Sequence, residues 1–362
     1  MKPAIFQQNV LAWFDQQGRK DLPWQQNITP YRVWLSEIML QQTQVVTVIP
    51  YFQAFITKFP NVESLAQAPV DEVLQLWSGL GYYARARNLH KAARFVCEQG
   101  RIPDTLDGLM ALPGIGQSTA GAILSIAFNK SHPILDGNVK RVLARFKAIP
   151  GWTGSSQTNK QLWEISTSLT PEIRVAEYTQ AMMDLGATVC TRSKPACEKC
   201  PLATACMAFL TQTEANFPTP KKAKALPVKQ LIFLLLHNNQ QVLLEKRPPT
   251  GIWGGLWSLP EFVSEDAALD WCAANNLQIK EKHSYNKQRH TFSHYHLDYT
   301  PLFIETNDPM ESVQEADRVI WHNTRKINQI GLAAPLNYYY NNTSKEDKHD
   351  PINSLRKIRQ RS

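Results

Sequence analysis

The sequence predicts two folded parts of different class: an all-α domain that carries a four-cysteine loop, then an α+β domain. Three observations lead there. Residues 1 to about 210 read as helix after helix, with little strand-like alternation. Breaks fall at Pro23, Pro30, Pro60, Pro69, Pro103, Pro113, Pro133 and Pro171, spaced as helix starts and loops. Near Thr211 the texture changes to TQTEANFPTPKKAKALPVK, with three prolines, four lysines and no periodicity, which reads as an extended, exposed linker. Beyond it, QLIFLLLHNNQQVLLEKRP reads as strand, Asn-Asn turn, strand, and short apolar runs continue to about Ile330 around one helical piece near Asp266 to Asn276. The expected boundaries are therefore 1–210 for the helical domain (cysteine loop 190–206), 211–229 for the linker, 230–340 for the second domain and 341–362 for a basic tail, polar enough to be disordered.

The totals agree with this division. At 362 residues the chain exceeds what one core usually serves. The net charge of +8 is shared, 20 basic against 16 acidic residues through Pro220 and 19 against 15 afterwards. Both halves can therefore face a polyanion, although a mildly basic surface with no partner fits the charge equally well. The longest apolar run, Leu231 to Leu236, is far short of the roughly 20 residues that span a bilayer. The opening MKPAIFQQNVLAWFDQQ reads as an amphipathic helix without the apolar core of a secretion signal, so a cytoplasmic protein is expected.

The stretch Leu112 to Arg141, LPGIGQSTAGAILSIAFNKSHPILDGNVKR, organises the first part. Gly114 and Gly116 flank one apolar residue, which suits a turn needing positive φ and close approach. Free N–H groups of that turn, with the positive end of the helix that follows, make an anion site. No strand precedes it and no GK[ST] follows, so a nucleic-acid phosphate fits better than a nucleotide. Asp136 stands before a further helix as an N-cap, and N–H donors there should keep it ionised. Asn138, two residues on, can orient a partner.

Glu37 lies in YRVWLSEIMLQQTQVVTVI, read as one helix with Trp34, Glu37, Gln41 and Gln44 on one face. Among Leu35, Ile38, Met39 and Leu40 its carboxyl loses hydration and its pKa should rise; a surface glutamate on an amphipathic helix is the alternative. Gln41 and Gln42 carry amides able to read base edges. One protonated and one ionised carboxyl in a single cleft is the pattern that cleaves a glycosidic bond. Trp77 to Asn88, WSGLGYYARARN, can supply a tyrosine wedge with arginines on the backbone, or merely a turn with core tyrosines. Cys190, Cys197, Cys200 and Cys206 form C-x6-C-x2-C-x5-C within 17 residues. Four such thiolates suit zinc or an iron–sulfur cluster. The single close pair favours [4Fe–4S], since zinc ribbons usually pair two knuckles. In the second part, Thr250 to Phe262 reads as a glycine-rich bend into a strand, and Thr291-Phe292-Ser293-His294 as a loop or as core alternation.

Together these residues resemble the adenine DNA glycosylases of the MutY type, within the helix-hairpin-helix superfamily. LPGIGQSTAGAI, ILDGNVKRV, LSEIMLQQT, GLGYYARARNL and the cysteine spacing carry the resemblance from about Leu22 to Cys206, and the second domain extends it to about Pro335. It implies a helix-hairpin-helix domain, one [4Fe–4S] cluster and a Nudix-like domain that reads 8-oxoguanine. It implies a base excision repair enzyme that flips adenine, mispaired with 8-oxoguanine or guanine, out of double-stranded DNA. Glu37 then matches the acid, Asp136 the stabilising anion and Asn138 its support. Gln41, Gln42, Thr43, Leu80, Tyr82, Gly114, Gly116 and Ser118 match DNA contacts, Trp24 and Gln180 adenine contacts, and Phe292, Ser293 and His294 the lesion-reading loop. No REUxEExGU run follows the glycine-rich bend, so nucleotide hydrolysis is not expected there. Relatives that also cut the strand carry a lysine nucleophile just after the hairpin. Ser118 stands there and cannot form a Schiff base, so a monofunctional glycosylase, acting as a monomer, is expected.

Overall fold

The structure is a computed structural model that describes residues 1–221, 225–307, 318–323, 330–333 and 336. The expected tail, 341–362, lies outside them. The described residues divide into two compact units, one of Met1–Ala68 with Arg87–Ala223, the other of Pro69–Ala86 with the described residues after Ala223. None of the described helices is long and apolar enough to cross a membrane.

The helices run in chain order as α1 (Pro3–Gln17), α2 (Pro30–Leu40), α3 (Val45–Lys58), α4 (Val62–Gln67), α5 (Val70–Leu76), α6 (Ala84–Gln99), α7 (Leu106–Met110), α8 (Gln117–Phe128), α9 (Gly137–Phe146), α10 (Ser156–Leu169), α11 (Val175–Asp184) and α12 (Met207–Leu210). Local chemistry sets their ends. Pro3 and Pro30 sit in first turns, where the missing N–H costs nothing. Thr29, Asn61, Thr105, Asp136 and Ser155 each accept a backbone N–H at an N-cap. Left-handed Asn129 (φ 51°) closes α8.

The single helix expected over Tyr31–Ile49 is two. α2 stops at Leu40 because Gln42 turns left-handed (φ 57°), so Gln41 and Gln44 leave the face that carries Trp34 and Glu37. The presumed linker also departs from expectation at its start. Residues 214–216 form a 3-10 turn, and Arg145 donates to the carbonyls of Glu214 (3.1 Å) and Phe217 (2.9 Å).

One core of the first unit joins Phe6, Val10 and Phe14 of α1 to Val139, Val142, Leu143 and Phe146 of α9, Leu162 of α10, and Tyr178 and Met182 of α11. Cys190, Cys200 and Cys206 pack against its edge. In the second unit, β1 (Val228–Asn238), β2 (Gln241–Lys246), β3 (Trp257–Ser258), β4 (Glu261–Phe262), β5 (Ile279–Ser284), β6 (Gln288–Thr291), β7 (His296–Thr306) and β8 (Val319–Asn323) form one mixed sheet. β1 and β7 pair in parallel at its centre, with Leu234 opposite Leu302. Leu234, Leu236, Leu243, Leu302 and Ile304 pack on Ala268 and Cys272 of α13 (Glu265–Ala274). The β1–β2 turn falls at Asn239-Gln240, one residue beyond the expected Asn-Asn pair. This is the expected all-α domain followed by an α+β domain.

Phe146 is 2% exposed and meets Phe6 edge-to-face at 4.9 Å. Phe146→Ala should therefore cost about 3–5 kcal/mol in urea unfolding followed by helical circular dichroism. A cost under about 1 kcal/mol would mean that this core does not hold the unit together.

Candidate functional site

Three elements of the first unit build the site. α2 buries Tyr31, Val33, Trp34, Leu35, Ile38 and Met39, and Glu37 sits among them. The side chain is half-buried and keeps part of its surface open. Burial lifts its carboxyl to about 8, and the charge of Asp136 pushes the same way. The spacing of apolar residues had signalled this shift.

α8 packs on α2. Its Gly121 lets the segment before Asp136 lie close: a Cβ there would lie 2.4 Å from the Pro133 carbonyl oxygen. Ser118 Oγ accepts the Leu135 N–H at 2.9 Å, and Ser125 Oγ donates to the His132 carbonyl at 3.0 Å. These contacts hold the segment that ends in Asp136. In the hairpin Gly114 takes φ 84° with Asn88 close by, but Gly116 (φ −96°) does not need glycine's freedom and serves as the N-cap of α8. Gln41 Nε2 reaches Thr119 Oγ1 (3.3 Å) and the Gly114 carbonyl (3.5 Å), tying α2 to the hairpin. Gln42 is exposed and Thr43 half-buried beside it.

Asp136 starts α9. Its Oδ1 accepts the Val139 N–H at 2.7 Å and its Oδ2 accepts Asn138 Nδ2 at 3.2 Å. The N-cap position is as expected, but the direction of the shift is not. Burial outweighs the donors from Val139 and Asn138 and the nearby Arg141, and the Asp136 carboxyl lies above its ordinary value. All the stabilising donors still fall on Asp136, so it ionises first and Glu37 must ionise against it.

The motifs did not disclose a chain of contacts that continues down α9. Asn138 Oδ1 accepts from Arg141 Nη2 (2.9 Å), and Arg141 also donates to the carbonyls of Gly186 (2.6 Å) and Cys190 (2.7 Å). Gly186, in a π-helical turn (Leu185–Val189), has no room for a Cβ, which would lie 2.5 Å from Asn138 Cβ. One turn on, Arg145 donates to Cys190 Sγ (3.4 Å) and to the carbonyls of Thr191 (2.7 Å) and Arg192 (2.9 Å). The spacing 138, 141, 145 on one helical face is the signal that could have found both arginines. Cys190, Cys197, Cys200 and Cys206 line one cavity with Val142 and Phe146. Burial pushes the Cys197 and Cys200 thiols up to about 11 and 12, a setting that keeps thiolates scarce unless a cation offsets their charge.

Trp24 is buried edge-on against Phe52 (5.5 Å). Gln180 Nε2 donates to Asp184 Oδ1 (2.8 Å), and the buried Asp184 also receives the Arg19 guanidinium. The remaining expected residues belong to the second unit. Leu80 is buried and Tyr82 is 51% exposed on a left-handed residue (φ 49°). Phe292, Ser293 and His294 form the turn between β6 and β7, closed by Phe292 N–H to the Tyr295 carbonyl (2.9 Å), so core alternation is not their role. Ser293 and His294 are exposed, while Phe292 packs edge-on against Trp253 (5.1 Å).

Residues 35–167 match the HhH-GPD superfamily base excision DNA repair proteins, and residues 231–342 match the NUDIX domain. A solved thermostable thymine-DNA glycosylase superposes with a TM-score of 0.51 at 28% identity, over 58% of this chain and 97% of that one. A hairpin-bearing helical domain of this family, with two half-buried carboxyls close enough for the charge of one to act on the other, defines a DNA glycosylase of base excision repair. The adenine DNA glycosylase of Buchnera aphidicola subsp. Acyrthosiphon pisum is 41% identical over 347 residues, 95% of this chain and 99% of its own. The human adenine DNA glycosylase is 34% identical over 384 residues, 87% of this chain and 70% of its own length. The chain belongs to the adenine DNA glycosylase family.

Leu135 is buried, and Ser118 Oγ is the partner of its N–H. Ser118→Ala should lower stability by about 1–3 kcal/mol, the cost of a buried donor left unpaired. Equal melting temperatures for the two proteins would remove Ser118 from the support of Asp136.

Proposed function

We propose that this chain hydrolyses the N-glycosidic bond of adenine mispaired with 8-oxoguanine or guanine in duplex DNA, leaving an abasic site. The observation that carries the reading is the unequal support of two neighbouring carboxyls. Glu37, lifted to about 8, holds a proton near neutrality, while Asp136 receives two N–H donors and takes the negative charge first. As the bond between sugar and base breaks, its electron pair moves to the base, which takes the Glu37 proton. The Asp136 carboxylate stabilises the sugar cation, and water adds to the anomeric carbon with loss of a proton. Asn138 keeps Asp136 aimed. Gln180 turns its N–H2 group to the acceptor-only Asp184, so its carbonyl oxygen is available for an exocyclic amine such as adenine carries. Trp24 packs beside the adenine site.

Gln41, Gln42, Thr43 and the hairpin at Gly114 and Gly116 grip the DNA. Tyr82 enters the base stack beside 8-oxoguanine with Leu80 behind it, and Phe292, Ser293 and His294 read the lesion. With serine at position 118 no amine is offered there for a Schiff base, which supports a monofunctional enzyme. The protein acts as a monomer on DNA in the cytoplasm.

The four cysteines suit a [4Fe–4S] cluster better than zinc. All four thiols line one cavity, and the single close Cys-x2-Cys pair is the feature that favours the cluster over a zinc knuckle. When bound, the cluster cross-links the four thiolates and supplies folding free energy.

Cleavage of an adenine:8-oxoguanine duplex, read with and without hot alkali, tests activity, substrate and lyase competence together; strand breaks without alkali would contradict the monofunctional reading. Glu37→Gln and Asp136→Asn should each slow base release at least about 100-fold while duplex binding persists. The pH profile should be bell-shaped. Its acid limb falls as Asp136 protonates, and its alkaline limb falls through about 8 as Glu37 loses its proton. An unchanged alkaline limb in an active Glu37→Gln protein would sink the assignment.

The same shift acts on stability. The folded state holds the Glu37 proton more tightly than the unfolded chain does, so stability declines as pH rises from 4.5 to about 8 and then levels off. Glu37→Gln escapes this decline, and its melting temperature should exceed the parent's by a margin that grows across that window.

A further inference from the structure

Two elements assigned above to 8-oxoguanine, the Tyr82 loop and the Phe292–His294 turn, are far apart in sequence yet lie in one compact unit. The loop is internally rigid. Trp77 Nε1 donates to the Gly81 carbonyl (3.1 Å), and Arg85 Nη2 donates to the carbonyls of Leu80 (3.2 Å) and Gly81 (3.0 Å). The Arg85 guanidinium also lies 5.4 Å from the Trp77 ring and 5.5 Å from the Tyr82 ring. A loop so clamped moves with the helix that enters it, α5.

α5 is anchored to the sheet. Lys246 Nζ, at the end of β2, pairs with Asp71 Oδ2 in the first turn of α5 at 2.9 Å and lies over the Trp257 ring at 5.4 Å. Leu74 is buried, and Gly331 fits between it and Leu256: a Cβ there would lie 3.3 Å from Leu74 and 3.0 Å from Leu256. The Gly331 carbonyl accepts the Trp257 N–H at 2.9 Å, which keeps that backbone in place.

We propose that Asp71 and Lys246 are positioning residues that fix the Tyr82 wedge to the body carrying the Phe292–His294 turn, so that both elements engage the lesion base together. The proposal rests on the activity proposed above and adds a determinant of mispair choice. The wedge alone can enter any mispair. Its registry with the turn is useful only where 8-oxoguanine is present, so loosening the ion pair should reduce discrimination more than the rate on adenine opposite guanine.

Charge reversal and exchange test this in the full chain. Asp71→Lys and Lys246→Asp should each lower the ratio of single-turnover rates, 8-oxoguanine over guanine, by about fivefold, and the double exchange should restore it to within about twofold. Unstacking reported by 2-aminopurine beside the lesion should fall and recover in parallel, and melting temperatures monitor the fold. Equal slowing on both duplexes, an unchanged ratio, or no recovery in the exchange would each overturn the proposal. A parent protein with no preference for 8-oxoguanine would sink the activity reading and the coupling with it. A parent preference indifferent to both charges would sink the coupling alone.

Discussion

The structure of the first unit turns on one hydrogen bond, from the Val139 N–H to the Asp136 carboxylate at 2.7 Å. It begins α9, because an N-cap satisfies a donor the helix cannot. It also places a negative charge at the positive end of the helix, where that charge is least unfavourable. A carboxylate beside Glu37 would otherwise have every reason to take a proton, since burial raises both groups. The cap is what makes the pair unequal, and an unequal pair is what acid-assisted loss of a base needs. The local rule that starts a helix and the electrostatic rule that separates two carboxyls are satisfied by the same atoms.

α9 then carries this arrangement to the cysteine loop. Residues 190–206 have little regular structure to pair their carbonyls, and those of Cys190, Thr191 and Arg192 find their donors in Arg141 and Arg145. The planar, multi-donor arginine suits this, because one side chain can hold several carbonyls in fixed relation. Since Arg141 also holds Asn138, and Asn138 holds Asp136, the carboxylate and the loop share one supporting lattice. Gly186 completes the contact by letting the backbone after α11 lie against Asn138.

The sequence was most readable where chemistry is local. The cap at Asp136, the cysteine spacing, the class of each half and the apolar flank of Glu37 all follow from neighbours within a few residues. Other features were hidden for definite reasons. Gln42 turns left-handed without a glycine or proline to announce it, so the face expected to hold Gln41 and Gln44 does not exist. Gly116 looked like its neighbour Gly114 but caps a helix with an ordinary φ. The Asp136 shift depends on burial supplied by residues distant in sequence, and capping chemistry alone pointed the other way. Arg19 and Asp184 pair across 165 positions, and the helical texture of residues 69–86 conceals that they pack with the sheet. That Glu37 and Asp136 share a site came from resemblance to a family; no spacing rule joins residues 99 positions apart.

Ser118 shows how a position can change its task without changing its place. In the resemblance, strand-cutting relatives hold a lysine nucleophile here. In this chain the hydroxyl accepts the N–H of Leu135, the residue before Asp136. An ammonium has three donors and no acceptor, so it cannot make that bond. A lysine at this point would have to be supported differently, and the Leu135 N–H would need another partner. The serine therefore does more than lack a nucleophile. It directs its hydroxyl oxygen at the backbone that presents the Asp136 carboxylate, so α8 supports the cap that begins α9.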